Sequence, residues 1–574
     1  MTENRWLLAT QPQTTEEKQV VLKLQNEIGI TEELALLLWQ RGVHSFEEAK
    51  SFFTPKLEDL HDPFLMQDME KAVERLEKAI REEETVVIYG DYDVDGTTAV
   101  ALVYGFLSKY HDNIHHYNPD RYKEGYGISK TGIDWAKEKK TSLIVALDCG
   151  IKSVENIAYA NTLGMDFIVC DHHEPGENLP DAVAILDPKR KGCPYPFKEL
   201  TGNGVGFKLL TAFCLKRNIP LENLYTYLDL AVISIASDIV PIIGENRTLA
   251  HFGLKKLNEN PSTGLKALKE VSGFQGEMNI ENVVFTLGPR INAAGRIAHA
   301  QSAVDLLLSK NYEEAVDFAY KIQAHNTERK THDSQITEEA LAMISTDPWM
   351  LHEAKSTVLF KHDWHKGVIG IVASRCIEHF YRPTVIFTAT KDNLAAGSAR
   401  SVQNFDLYQA IDACSNWLEQ FGGHRHAAGM TIKIEHIEAF RKAFDEVVQA
   451  QLQEEHLQPT IVIDLELSFS SISAKFFRIM KRMGPFGPKN MRPVFKTSGL
   501  SLASTPRIMK EKHLRLELVD PQTGQTFTAV GFGMRDKHYE SLLAADQFSV
   551  VYTIEENTFR GISSLQLFLK DIKY

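Results

Sequence analysis

Between residues 85 and 240, short apolar runs alternate with stretches whose apolar positions recur at helical spacing. The runs fall at 86–89, 143–147, 167–170 and 183–186, and helices fit between them, for example at 97–110 and 153–163. Strand–helix alternation of this kind predicts a parallel sheet with helices on both faces. Upstream, residues 15–84 are charged and helical in pattern, with apolar positions every three or four residues in 32–39 and 69–80 and breaks at Pro55 and Pro63. They read as a helical preface to the first sheet. Residues 303–342 lack Pro and Gly and predict a long helix joining two domains, in preference to two helices broken near Asn326-Thr327. A second α/β segment follows, with strands at 356–360 and 383–387 and helices at 370–379 and 406–421. After a polar linker at 449–458, short runs at 461–467, 514–518, 527–532, 548–554 and 565–569 predict a small β-barrel.

The expected organisation is a helical region at 1–80, a parallel-sheet domain at 81–302, a connecting helix at 303–345, a second α/β domain at 346–455 and a barrel at 456–574. A chain of 574 residues accommodates that many domains. The net charge of −13 argues weakly against a nucleic-acid partner, but binding confined to one basic channel escapes a bulk count. Six scattered cysteines without a C-x-x-C pair read as buried thiols of a reducing compartment. With no signal-peptide pattern and no long apolar run, a cytoplasmic protein without a membrane span is expected.

The chemistry gathers where apolar runs end. Asp91, Asp93 and Asp95 follow the run at 86–89, Asp148 follows 143–147, Asp171-His172-His173 follow 167–170, and Asp238 follows the apolar residues 230–235. Three like charges within six residues repel one another unless a cation neutralises them. Successive strands of a parallel sheet end on one edge, so these clusters are expected to meet there. Carboxylates with one or two imidazoles suit Mn²⁺, and Mg²⁺ less readily. Two such ions would clamp a scissile phosphate and activate water, with no nucleophile needed from the protein. Taken alone, Asp148 or Asp238 reads equally as a helix cap, and the aspartate triplet as a Ca²⁺-type loop without EF-hand spacing.

The ordered set Asp91-Tyr92-Asp93-Val94-Asp95-Gly96, Asp148-Cys149-Gly150 and Asp171-His172-His173 resembles the DHH phosphoesterase superfamily. Gly422-Gly423-His424-Arg425-His426-Ala427-Ala428-Gly429 is similar to the signature of its accessory DHHA1 domain. Blocks at 125–127, 200–205, 235–241, 287–296, 365–375 and 397–401 carry a closer resemblance to the RecJ family of bacterial single-strand-specific exonucleases. The resemblance implies DHH and DHHA1 domains with an OB-fold barrel. It also implies 5′→3′ hydrolysis of single-stranded DNA to mononucleotides with Mn²⁺ or Mg²⁺, in DNA repair and recombination. Asp93, Asp95, Asp148, His172 and Asp238 would hold two ions, with Asp148 bridging them. Asp91 would support the ligands and His173 would meet the scissile phosphate. Cys149 departs from the usual Asn or Asp and reads as buried filler; Lys489-Asn490-Met491 stand where Gly-Asn-Pro is usual.

Candidate nucleic-acid contacts are Arg290, Arg296, His365, Lys366, Arg375, Ser398, Arg400, Gly423, His424, Arg425 and His426, with Arg290 and Arg400 foremost. Phe486, His513 and Phe559 are possible base platforms on the barrel, against the plainer reading of packing. The expected partners are single-stranded DNA, a helicase and a single-strand-binding protein, with the chain itself a monomer. A small-substrate phosphoesterase and a non-catalytic scaffold are the competing readings. The barrel after residue 460 disfavours the first, and the intact ligand set disfavours the second.

Overall fold

The computed structural model describes residues 3–297, 299–559 and 561–574. The chain forms two compact units: Thr10–Asn326 with Asp464–Tyr574, and Thr327–Ile463 with the segment ending at Ala9. In the larger unit, β1 (Thr85–Gly90), β2 (Ile114–Tyr117), β3 (Thr141–Leu147), β4 (Asp166–Cys170) and β5 (Ala184–Leu186) form an all-parallel sheet of order β2-β1-β3-β4-β5. Its runs are apolar throughout because both faces are covered. Val86, Ile88, Leu143, Val145 and Ile168 pack on one face, and Val87, Tyr89, Ile144, Ala146, Phe167 and Val169 on the other. The strand β2 is absent from the sequence reading because His115-His116 interrupt its apolar character.

Helices α1 (Val94–Leu107), α2 (Gly202–Arg217) and α3 (Leu228–Ser237) are almost wholly buried over the first face. The apolar residues 230–235 therefore belong to a buried helix, and Asp238 closes that helix rather than a strand. A continuous apolar run fits either element, and here burial on all sides made a helix look like a strand. Further on, α4 (Gly288–Ile297) leads through a helix at Gln301–Leu308 to α5 (Tyr312–Thr346). The expected connecting helix is thus two helices with a break at 309–311.

In the smaller unit, β6 (Thr357–Lys361), β7 (Thr384–Ala389), β8 (Leu394–Arg400), β9 (Leu418–His424) and β10 (Ala427–Lys433) form a mixed sheet of order β9-β10-β8-β7-β6, with α6 (Ile369–His379) packed on β7 and β8. The helix expected at 406–421 stops at Asp412, and the chain continues into β9. Gly422, Gly423 and His424 consequently lie on a strand of a β9–β10 hairpin, not in a loop. The chain ahead of the larger unit adds a strand, Arg5–Leu8, parallel to Thr460–Ile463.

The carboxyl-terminal part of the larger unit is the barrel. β11 (Phe495–Leu502), β12 (His513–Val519), β13 (Thr526–Gly531), β14 (Phe548–Phe559) and β15 (Ile562–Lys573) close a ring, β11-β14-β15-β13-β12 and back to β11. The run 461–467 is not in this ring; β11 takes its place. Helices Thr15–Ile28, Glu32–Gln40 and Phe46–Phe53 do not serve the first sheet. Their Val21, Leu24, Leu34 and Leu38 share one core with Leu514, Phe548 and Tyr552 of the barrel. Only the helix Met69–Arg81 of the expected preface packs on the parallel sheet. Among the described residues all six cysteines are buried thiols, and no helix is long and apolar enough to cross a membrane.

Candidate metal centre

The carboxyl edge of the parallel sheet and the end of α3 bring the acids together. Asp93 is the N-cap of α1 and accepts from the Gly96 N–H at 3.0 Å. Asp95, in the first turn, accepts from the Gly202 and Asn203 N–H groups at 2.6 and 2.9 Å and from the Ser234 hydroxyl at 2.7 Å. The starts of two helices thus supply positive dipole ends to carboxylates that would otherwise only repel. Gly202 packs so tightly that a Cβ there would lie 2.5 Å from Asp148 Cβ. Asp148 ends β3 with φ +58°, a left-handed conformation that turns the chain just past the strand.

His172 Nε2 lies 3.2 Å from Asp148, 3.6 Å from Asp95 and 3.7 Å from Asp238, and is buried without a hydrogen bond. Two ligand groups share it: Asp148 with His172 and His173, and Asp95 with His172 and Asp238. In each, the ligand atoms lie within 4.8 Å of one another. Asp238 is the most open of these aspartates, at 28% exposure. Asp91 is buried, with Oδ1 accepting from Gly127 N–H at 3.2 Å and Oδ2 unpartnered.

Burial first, and then the charges of neighbouring carboxylates, push Asp91, Asp93, Asp148 and Asp238 above the usual carboxylate range. Burial likewise lowers His172, leaving a neutral imidazole with a lone pair to give. Mutually frustrated carboxylates around an unpartnered imidazole nitrogen fit Mn²⁺ or Mg²⁺. Burial alone would lower His173, but the hydrogen bond and charge of Asp171, 2.8 Å from Nδ1, bring it up to about 9. Asp171 is held well below its usual range; burial opposes this, and the His173 hydrogen bond and charge overcome it.

Several residues of this edge escape sequence reasoning. Asp171 also accepts from the Ile151 and His172 N–H groups and so orients His173. Tyr126 donates to Asp148 O at 3.0 Å and stands 3.3 Å from His173. Arg121 lies over the Tyr92 ring at 5.0 Å. The only signal for Asp171 and Tyr126 is membership in a motif, which names a position without its role, and Arg121 lies in none of the motifs. Asp187, just past β5, is fully buried with Oδ2 unpartnered, and burial pushes its carboxyl up from 3.8 to about 7. An acid whose folded pKa is raised binds protons more tightly when folded, so stability falls as pH rises from about 4 to about 7. Asp187→Asn is expected to remove on the order of 2–4 kcal/mol of that loss, read from urea denaturation at pH 5 and pH 8. An unchanged difference between the two pH values would refute it.

The nucleic-acid candidates separate by environment. In the larger unit, Arg290 is 8% exposed and its guanidinium binds Gln323 at 2.8 Å and the Thr286 carbonyl at 2.6 Å, an internal tie. The Arg296 carbonyl accepts from the Tyr122 hydroxyl. In the smaller unit, Arg375 is paired with Asp333 at 2.8 Å, and His365 stacks on His332 with ring centroids 5.0 Å apart. Arg400 donates to Ser398 Oγ at 3.0 Å. The first turn of α6 lies against both: a Cβ on Gly370 would sit 2.7 Å from Arg400 Nη2 and 2.8 Å from Ser398 Oγ. A helix start, a hydroxyl and a guanidinium together make an anion cradle. Gly423 and His424 are exposed on β9, Arg425 and His426 form the hairpin turn, and Lys366 lies just ahead of α6. On the barrel, Phe486 is half-buried beneath Arg492, whereas His513 lies 5.2 Å from the ring of Phe532, which is 58% exposed. The side chain of Phe559 lies outside the described residues.

Three family models match: "DHH family, N-terminal domain" at 85–235, "DHHA1 domain" at 353–450 and "RecJ OB domain" at 463–571. The single-stranded-DNA-specific exonuclease RecJ of Bacillus subtilis is 37% identical over 96% of this chain and 69% of its own length. That of Salmonella typhimurium is 34% identical over 88% of this chain and 90% of its own. The crystal structure of RecJ in complex with Mn²⁺ from Thermus thermophilus superimposes with a TM-score of 0.84 at 25% identity, covering 99% of this chain and 79% of that one.

Proposed function

This chain belongs to the RecJ family of single-stranded-DNA-specific exonucleases, and on that premise we propose that it hydrolyses phosphodiester bonds of single-stranded DNA, releasing mononucleotides from the 5′ end. The observation that carries the reading is the convergence of Asp95, Asp148 and Asp238 on the unpartnered His172 Nε2 at the sheet edge. Asp93, Asp95, Asp148, His172 and Asp238 would hold the cations, with Asp91 supporting them. Mn²⁺ or Mg²⁺ held there would supply Lewis-acid chemistry, activating water and offsetting charge on the phosphate. His173, protonated through Asp171, offers a positive N–H to the scissile phosphate. Ser398, Arg400 and the start of α6 take up a further phosphate. Residues 81–302 carry the chemistry, 303–345 connect, 346–455 hold the strand, and 456–574, with the helices at 15–53 of the helical region, bind bases on the barrel. The setting is cytoplasmic DNA repair and recombination, with the chain acting as a monomer beside a helicase and a single-strand-binding protein.

Strands labelled at either end, with Mn²⁺ and Mg²⁺ compared, test this. Labelled mononucleotide is expected first from the 5′ end. Ready hydrolysis of a dinucleotide with no attack on the strand would replace the reading with that of a small-substrate phosphoesterase. Arg400→Ala is expected to raise KM for single-stranded DNA about 10- to 100-fold, the worth of one charge-assisted hydrogen bond. A KM equal to that of the wild type would remove the cradle from the substrate path.

A further inference from the structure

We propose that the loop at 483–491, ahead of the barrel, is a clasp that positions Asp238 for metal binding, with Gly487 and Asn490 as its positioning residues. The inference rests on Asp238 being a metal ligand.

Asp238 closes α3, its N–H bonded to the Ser234 carbonyl at 2.9 Å. The next residue, Ile239, has φ +59°. Among the described residues it is the β-branched residue in that region of backbone space, where branching at Cβ is most costly. Such strain persists only where the surroundings over-determine it. The Ile239 side chain supplies little of that restraint, since it is 64% exposed. The restraint comes from the two ends of the segment. One end is α3. The other is Ile242, fully buried, whose N–H donates to the Pro488 carbonyl at 2.8 Å. Gly487 closes against the same residue: a Cβ there would lie 2.5 Å from Ile242 Cγ1.

The loop is itself fixed. The Asn490 amide, 1% exposed, donates to the Met483 and Pro485 carbonyls at 3.0 and 2.9 Å and accepts from Arg41 Nε at 3.1 Å. Gly487 and Asn490 exchange backbone hydrogen bonds at 3.0 and 2.9 Å. Arg247, in the helix that follows Ile242, donates to the Met483 and Gly484 carbonyls, both at 2.9 Å. A loop some 240 residues downstream therefore fixes the far end of the turn that presents Asp238, at Ile242, and the helix beyond it at Arg247. The Lys489-Asn490-Met491 segment thus supplies the buried amide that organises the loop, with Met491 exposed beside it.

Mn²⁺ titration of the full chain, followed by calorimetry and by the paramagnetic signal of free Mn²⁺, tests the clasp. Gly487→Ala is expected to weaken Mn²⁺ binding about 10-fold, the usual effect of disturbing a residue that holds a ligand. Gly487→Ala with Ile242→Ala, which removes the obstructing Cγ1, is expected to recover most of that loss. Ile239→Gly, which relieves the strain, is expected to weaken Mn²⁺ binding while leaving the metal-free chain at least as stable as the wild type. Should Gly487→Ala not fold, Ile239→Gly carries the test. Wild-type Mn²⁺ binding in Ile239→Gly and in folded Gly487→Ala overturns the clasp, provided Asp238→Ala binds weakly. Wild-type binding in Asp238→Ala overturns the ligand assignment instead.

Discussion

Asp148→Asn is expected to lose Mn²⁺-dependent nucleotide release by on the order of 10²–10³-fold or more, while its metal-free form melts higher than the wild type. Both effects come from one placement. Asp148 is buried beside the carboxylates of Asp95, Asp93 and Asp238, and burial together with their charges pushes its own carboxyl far up. Without cations the cluster opposes folding; with them it is the site. An amide in place of the carboxylate removes one repelling charge and keeps the shape, so the metal-free fold gains about 1 °C per kcal/mol of relieved repulsion in a unit of this size. Addition of Mn²⁺ should then raise the melting temperature of the wild type and move the variant much less. Thermal melts with EDTA and with Mn²⁺, beside a product-release assay, read all of this. A variant that melts lower than the wild type in EDTA would show that the carboxylates are not frustrated.

Glu245→Ala is expected to cost about 3–5 kcal/mol of stability. Glu245 and Lys208 are 3% and 1% exposed and meet at 2.6 Å. The Tyr195 hydroxyl donates to Glu245 at 2.6 Å, the His61 N–H at 2.9 Å, and the Lys208 ammonium donates to the His61 carbonyl at 2.8 Å. Removing the carboxylate strands a buried ammonium. Replacing both, as Glu245→Leu with Lys208→Met, is expected to come near the wild type, because the desolvation of two charges offsets most of their attraction. Urea denaturation of the two variants decides it: equal losses in both would mean that packing, not charge, holds this site.

What could be read from the sequence was what is local. Asp91, Asp148 and Asp171 each follow a run whose strand character needs no partner to recognise, so their meeting at one sheet edge followed from parallel topology alone. Asp238 fails that rule because its run is a helix buried all round, in which period carries no information. Strand β8, Leu-Ala-Ala-Gly-Ser-Ala-Arg, has no β-branched residue and is made a strand by the neighbours it pairs with. The first turn of α2 appears in the sequence as a glycine-bearing block, but its role as a donor to Asp95 depends on an approach across more than 100 residues. Arg290 reads as a phosphate ligand from its motif, and the structure places it 8% exposed with its guanidinium on Gln323 and the Thr286 carbonyl.

The shared core of the first helices and the barrel has a consequence for synthesis. Residues 15–53 are made early, yet Leu24, Leu34, Leu37 and Leu38 find their apolar partners in residues 465–572. At the usual elongation rate of about 5–20 residues per second, roughly 20–90 s pass between the two. The parallel-sheet core, whose members all lie between residues 66 and 322, can close within that interval. The apolar faces of the helices at 15–53 therefore wait for residues 465–572 to be made before they can be covered.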